Sequence, residues 1–312
     1  MSVSAASPTT RESAGVPWRA FAFVAALAVF IYGFPQYGVP LSSFVTALGR
    51  TAPCGPWEAL RGLSVHFHYA RGDAPIAASA RLLKDDPAGY HLWSTSRGQY
   101  WLPADCDPVL PLLLSQQQYR IYGDLRAGDV VLDCGAHVGV YTREALNAGA
   151  RLVVSIEPAP DNLECLRRNF APEIREGRVI VCPVGVWNKQ DHLVLHTVAG
   201  NSAGDSFVFK DEPGQGIVIP LTTIDILATE LKLPRVTMIK MDIKGSECPA
   251  LMGAARVLRT DKPRLAIVSE HLPDDPERIP AIVHGFRPDY KVRCGVCFQK
   301  NGRIRPEVLL FD

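Results

Sequence analysis

Asp133, Glu157, Asp242 and His271 each stand at the end of a largely apolar run, where a buried strand would deliver a side chain to a ligand. Two glycines, Gly135 and Gly139, follow the first of these acids in "VVLDCGAHVGVYTREAL", which runs from Val130 to Leu146. Without side chains they let the backbone bend sharply and let a ligand come close. The helix that opens after them offers free N–H groups and a partial positive charge. On its own, G-x-x-x-G is equally what a tight strand-to-helix turn needs. Glu157 adds information, because it ends the next strand 18 residues beyond Gly139. In adenosine-binding α/β domains an acid in that place accepts hydrogen bonds from the ribose hydroxyls. The stretch Gly135-Ala136-His137-Val138-Gly139 lacks the middle glycine that makes room for a pyrophosphate in G-x-G-x-x-G. Acids at several strand ends also suit a cationic ligand better than a pyrophosphate.

The elements that must position these residues alternate. Strand "VVLDC" has the unbroken apolar character of a sheet covered on both faces, and a helix over about Val138–Ala148 stops at Gly149. Strand "LVVSIEP" follows, then a helix with Leu163, Leu166 and Phe170 on one side, then strand "VIVCPV". Two alternating segments, "HLVLHTV" and "GIVIPL", read as an antiparallel insertion. Thr223 caps the next helix. Strand "VTMIKMDI", a helix over Ser246–Leu258, strand "RLAIVSEH" and a helix with Ile279, Ile282 and Phe286 complete the series. The order predicts a doubly wound α/β domain with an antiparallel edge hairpin formed by "YKVRC" and "EVLLF". Ligands of such sheets sit beyond the carboxyl ends of the strands, where strand order reverses.

Taken in order and spacing, "VVLDCGAHVGVYTREAL", "SIEPAPDNLECLRRNF", "VGVWN", "LTTID" and "IKMDIKGSE" resemble the FkbM-type methyltransferases over about residues 117–290. The resemblance implies a class I methyltransferase fold and S-adenosyl-L-methionine as cofactor. It implies that Asp133, Gly135, Ala136, His137 and Gly139 form the turn under the methionine and ribose, with Glu157 on the ribose. Val186 and Trp187 would lie near the adenine, and Asp242 would face the methionine end and the acceptor. The acceptor it suggests is a hydroxyl of a small molecule or glycan.

A hydroxyl acceptor needs a base, and Asp242, Lys244 and His271 are the candidates, in that order. Lys244 departs from the family, which commonly reads D-x-E-G where this chain has Asp242-Ile243-Lys244-Gly245. An ammonium about 6 Å from a sulfonium costs on the order of 3 kcal/mol at an effective dielectric of about 20. Lys244 therefore has three roles open to it. It can point to solvent, it can act as a neutral base, or it can pair with Glu247 or bind an acidic acceptor. The same lysine removes a carboxylate from any metal site, and no metal is expected. A catalytically silent adenosine-binding or scaffold domain is the rival from another class.

The remaining sequence sets the context. In 312 residues, 47% hydrophobic and 21% charged content is ordinary for a folded protein, and a net charge of +1 gives no field for nucleic acid. The domain organisation reads as a disordered tail over 1–16, an apolar segment over 17–48, a β-rich region over 49–116 and the main domain over 117–312. In the β-rich region "LSVHFHYA" alternates, and "GYHLWSTSRGQYWLPA" reads as a hairpin turning near Arg97-Gly98. Its aromatics either pack or line a site. The segment Ala20–Phe34 is fifteen residues without a charge, short of the roughly 20 that span a bilayer. Continued to Leu41 it is long enough, so an anchor over 20–41, a signal peptide and an interfacial helix are all open. Arg11 and Arg19 before it favour export of the chain on its far side, yet the cofactor is cytosolic. The expectation is a membrane-associated protein with a cytoplasmic catalytic domain, or a cytoplasmic one. Eight scattered cysteines read as buried thiols of a reducing compartment, and Cys294-x-x-Cys297 alone is a weak metal or redox signal.

Overall fold

Apolar strands in alternation with helices from Val130 onward close into one seven-stranded mixed sheet. The computed structural model describes residues 54–118, 121–198, 200–209, 216–300 and 303–312. The tail over 1–16 and the apolar segment Ala20–Phe34 lie outside the described residues. Among those described, no helix is long and apolar enough to cross a membrane.

The elements run α1 (Pro56–Ser79), β1 (Arg81–Asp86), β2 (Tyr90–Thr95), β3 (Gly98–Pro103) and α2 (Leu110–Gln118) before the main domain. That domain continues with β4 (Val130–Cys134), α3 (Val140–Asn147), β5 (Leu152–Ile156), α4 (Pro160–Asn169), α5 (Ala171–Arg175), β6 (Val179–Cys182) and β7 (Gly185–Val186). Next come β8 (Asp191–His196), β9 (Gly216–Thr222), α6 (Ile224–Glu230), β10 (Met238–Met241), α7 (Glu247–Met252), α8 (Ala255–Thr260), β11 (Arg264–Val268) and α9 (Asp275–Phe286). Strands β12 (Val292–Cys294), β13 (Cys297–Lys300), β14 (Arg303–Pro306) and β15 (Val308–Phe311) end the chain.

Sheet order is β12-β15-β11-β10-β4-β5-β6. Strands β11, β10, β4, β5 and β6 are parallel, and β15 runs antiparallel between β11 and β12. The chain winds from β4 out to β6, then returns to lay β10 against the other side of β4. Strand order therefore reverses between β4 and β10, which fixes the crevice for a ligand. Side chains alternate along each strand. Leu132, Val154, Ile239 and Ile267 enter one core, and Val131, Val153, Met238 and Ala266 enter the other. The β8–β9 insertion is antiparallel as expected and forms a small sheet with β7. Thr223 caps α6 by accepting the Ile226 amide at 3.0 Å.

The region before the main domain is less β-rich than its sequence suggests. The β2–β3 hairpin turns at Ser96-Arg97, next to the place expected. By contrast, "LSVHFHYA" lies inside α1, where Ala59, Leu60 and Leu63 supply a buried face at helical spacing. The hairpin aromatics serve packing. Arg168 stacks on Tyr90 and Trp101, and Trp93 donates to Asp107 at 2.6 Å. The single helix expected over Ser246–Leu258 is two short ones, broken where Gly253 passes against the Trp187 carbonyl too closely for any Cβ.

The cysteines depart furthest from expectation. Cys54 and Cys294 form a disulfide that ties the start of α1 to the end of β12 across 240 residues. Cys294 therefore does not pair with Cys297. The other six cysteines are buried thiols, as expected.

Candidate active site

Strands β4 and β10 are in register so that Asp133 lies beside Lys240 and Cys134 beside Met241. Both polar residues are buried. Lys240 Nζ approaches Asp133 Oδ1 at 3.1 Å and donates to the Gly135 carbonyl at 2.7 Å and the Cys134 carbonyl at 3.4 Å. Thr142 donates to Asp133 Oδ2 at 2.8 Å. Burial opposes the Lys240 charge, but the carboxylates of Asp133 and Asp242 outweigh it and raise its pKa. The rings of Tyr122 and Tyr141 flank the ammonium at 5.5 and 5.9 Å from their centroids. The Asp133 side chain thus holds the floor of the turn together.

Gly135 and Gly139 have φ of +76° and +93°, in the left-handed region. Each also has a protein neighbour where a Cβ would be, the Asp242 carbonyl for Gly135 and the Phe170 ring for Gly139. Close packing of the turn on its own protein is thus a first reason for both glycines. The bend they make delivers the His137 amide, 2.8 Å from Glu157 Oε2. Glu157 Oε1 accepts from the Ala159 amide at 2.9 Å and from Asn162 Nδ2 at 3.3 Å. Burial raises the pKa of this carboxyl, and those donors oppose the rise.

Together these residues line a cleft enclosing about 940 Å³ of empty space, its open mouth included. Gly135, Ala136, His137, Glu157, Val186 and Asp242 all reach it, as does Lys244. Asp133 and Gly139 support it from behind, and Trp187 and His271 are not among its lining residues. Trp187 contributes backbone instead, its amide donating to the Thr222 carbonyl at 2.8 Å. The insertion closes one side through Leu195, Ser202, Asp205 and Phe207. Ser202 Oγ lies 2.8 Å from His137 Nε2 and donates to Asn162 Oδ1 at 2.8 Å. The Ser202 amide lies 3.2 Å from the Cys106 sulfur. The segment before the main domain therefore braces the wall beside Glu157.

At the other end Tyr122 donates to Asp242 Oδ2 at 2.9 Å. Burial raises the Asp242 pKa, but Lys244, Lys240 and His271 together overcome it and hold the carboxyl well below the usual range. The carboxyl is thereby held in its charged form. Lys244 neither points to solvent nor pairs with Glu247. Its Nζ lies 3.3 Å from His271 Nε2 and 3.9 Å from Asp242 Oδ1. Glu247 is buried and accepts from the amides of Ile243 and Gly245, each at 2.9 Å. It also holds His271 Nδ1 at 2.9 Å. Burial lowers the His271 pKa, and the carboxylates of Glu247 and Asp242 together more than restore it. Among the described residues no cluster suits a metal ion. Reading from the sequence missed Tyr122 and Lys240. A lysine inside the apolar strand "MIKM" is a signal for the second, whereas Tyr122 lies in a connecting segment with no pattern.

The profile of the methyltransferase FkbM domain matches residues 133–289. No curated protein matches the chain. Among solved structures, methyltransferase FkbM from Methylobacillus flagellatus KT is 19% identical with a TM-score of 0.43, over 82% of this chain and 60% of that one. This chain thus spans 60% of the length of that relative. A putative rRNA methylase from Clostridium thermocellum is 9% identical with a TM-score of 0.38, over 64% of this chain and 92% of the other. M. jannaschii TYW2, solved in complex with AdoMet, is 15% identical with a TM-score of 0.37, over 74% and 86%. With half of its length matched by the family profile, the chain belongs to the FkbM methyltransferase family.

Proposed function

We propose that the chain is an S-adenosyl-L-methionine-dependent methyltransferase acting on a hydroxyl of a small molecule or glycan. The observation that carries this reading is Glu157, a buried carboxylate in the cleft wall that faces the bend between Gly135 and Gly139. A carboxylate oxygen has two lone pairs; Oε1 already accepts from Ala159 and Asn162, and Oε2, which accepts only the His137 amide, keeps capacity for a ribose hydroxyl. Four buried side-chain atoms of cleft residues have no hydrogen-bond partner among the described residues: Asp242 Oδ1, His137 Nδ1, Tyr141 Oη and Ser246 Oγ. Unpaired buried polar atoms are uncommon in folded proteins.

When bound, the cofactor supplies an electrophilic methyl group on a positive sulfur. Glu157 and the turn would hold its ribose, and Val186 would lie near the adenine. Asp242, at the reversal of strand order, would face the methionine end. Alignment of acceptor and methyl is the main contribution expected of the protein. The hydroxyl proton passes by way of Asp242 to His271, which lies behind the cleft lining with Nε2 3.6 Å from Asp242 Oδ1 and whose charged form Glu247 stabilises. The rival reading, a silent adenosine-binding domain, is favoured by one feature, the Lys244 ammonium in the cleft beside a cationic cofactor.

Labelled cofactor incubated with extracts of the source cell tests the reading. Transfer of label by the wild type and not by Glu157→Ala supports it, and binding of S-adenosylhomocysteine with no transfer supports the silent domain. Membrane association through residues 20–41, with the catalytic domain on the cofactor's side, completes the proposal. A reporter fused after residue 60 tests it by compartment.

A further inference from the structure

Of the two lysines in the cleft, one is saturated and one is not. Lys240 is 5% exposed and has Asp133 and two carbonyls around its ammonium. Lys244 is 31% exposed and lines the cleft. An ammonium has three N–H donors. One of them meets His271 Nε2 at 3.3 Å, while Asp242 Oδ1, at 3.9 Å, lies beyond hydrogen-bond distance. Donor capacity is therefore left for a ligand. The backbone bends to place it there: Lys244 has φ of +50°, left-handed for a residue with a Cβ, and Gly245 follows at +94°. Such conformations persist where the surrounding structure enforces them, and they concentrate at functional sites. Here the enforcing contacts are Glu247 on the amides of Ile243 and Gly245 and Ser206 Oγ on the Lys244 carbonyl at 2.8 Å.

Charge points to what the lysine takes. Around this end Asp133 and Asp242 balance Lys240 and Lys244, and Glu247 faces His271. A cationic cofactor in the cleft that Lys244 lines would repel its ammonium, and an anionic group on the acceptor would relieve that repulsion. We infer that the methyl acceptor carries a carboxylate, and that Lys244 binds it so that the acceptor and the cofactor favour each other's binding. This rests on the proposed cofactor and narrows the acceptor to hydroxyl-bearing acids, such as acidic sugars. No atom of Lys244 takes part in bond making, so it acts by positioning and by selecting the acceptor.

The test uses the full chain and calorimetry at constant ionic strength. S-adenosylmethionine is titrated alone, with about 10 mM glucuronate, and with about 10 mM glucose, into wild type, Lys244→Met and Lys244→Arg. Glucuronate is expected to tighten cofactor binding at least about threefold in the wild type and in Lys244→Arg, and not in Lys244→Met, with glucose inert throughout. Absence of any glucuronate effect in a wild type that binds the cofactor overturns the inference and leaves the cofactor reading intact. An equal effect in Lys244→Met overturns it too, by placing the carboxylate elsewhere. Failure of the wild type to bind the cofactor at all sinks the underlying reading, and this inference with it.

Discussion

Lys240 and Asp133 are register partners on the two central strands, and their charges meet at 3.1 Å inside the sheet where strand order reverses. Their approach leaves Asp133 Oδ1 without a well-directed hydrogen bond, so the ammonium's charge is what satisfies that oxygen. The same lysine holds the carbonyl of Gly135 and so the shape of the turn. Lys240→Met keeps the packing volume and strands a buried carboxylate. Breaking a buried pair from one side costs about 3–5 kcal/mol. Chemical denaturation is expected to show that loss, and a change below about 1 kcal/mol would show that the pair is not what holds the turn.

Gly135→Ala tests the turn from the backbone. Its φ of +76° and the nearby Asp242 carbonyl both exclude a Cβ. We expect a cost of at least about 2 kcal/mol, and a midpoint lowered by about 2–4 °C for each kcal/mol lost. Thermal melting checks it, with Gly177→Ala as control, a position of similar φ and open surroundings.

The Cys54–Cys294 bond predicts that denatured, unreduced protein titrates six thiols rather than eight. Cys54→Ser should cost about 2–4 kcal/mol, and reductant should lower the midpoint of the wild type and not of the variant. Eight thiols under oxidising conditions would contradict the pairing.

Asp205 gives a pH signature. Burial pushes its carboxyl up to about 7, with Glu157, Asp105 and Asp161 adding to the rise against the Val198 amide. A folded-state pKa above the unfolded 3.8 means that the folded protein binds the proton more tightly. Stability from this group is therefore full below about pH 4 and lost as pH rises toward 7. Asp205→Asn is expected to melt a few degrees higher than wild type at pH 8 and equally at pH 4. Equal melting at both values would contradict the shift.

Much of the fold was legible in the sequence because the central strands of the main domain are largely apolar and its helices are one-sided. The run "VVLDC", the cap Thr223 and the hairpin near Arg97-Gly98 each carry their own local signal. Helix α1 misled because "LSVHFHYA" satisfies a two-residue alternation, while its buried face, Ala59, Leu60 and Leu63, begins before that stretch. No local pattern carries the disulfide, whose partners are 240 residues apart. Glu157, Asp242 and the two glycines were visible from strand ends. Tyr122 and the inward aim of Lys244 depend on which loops meet, and only the folded chain shows that. The lowered Asp242 pKa was not legible for the same reason, since the two lysines that contribute to it reach it through the fold.

The central claim is that Glu157 grips the ribose of an adenosine-bearing cofactor beside the glycine turn. Calorimetric titration of S-adenosylhomocysteine into wild type, Glu157→Gln and Glu157→Ala, with melting curves to confirm folding, tests it most directly. Binding is expected to be at least about tenfold weaker in the alanine variant, about 1.4 kcal/mol, with the glutamine variant between. Equal affinity in a folded Glu157→Ala protein would contradict it.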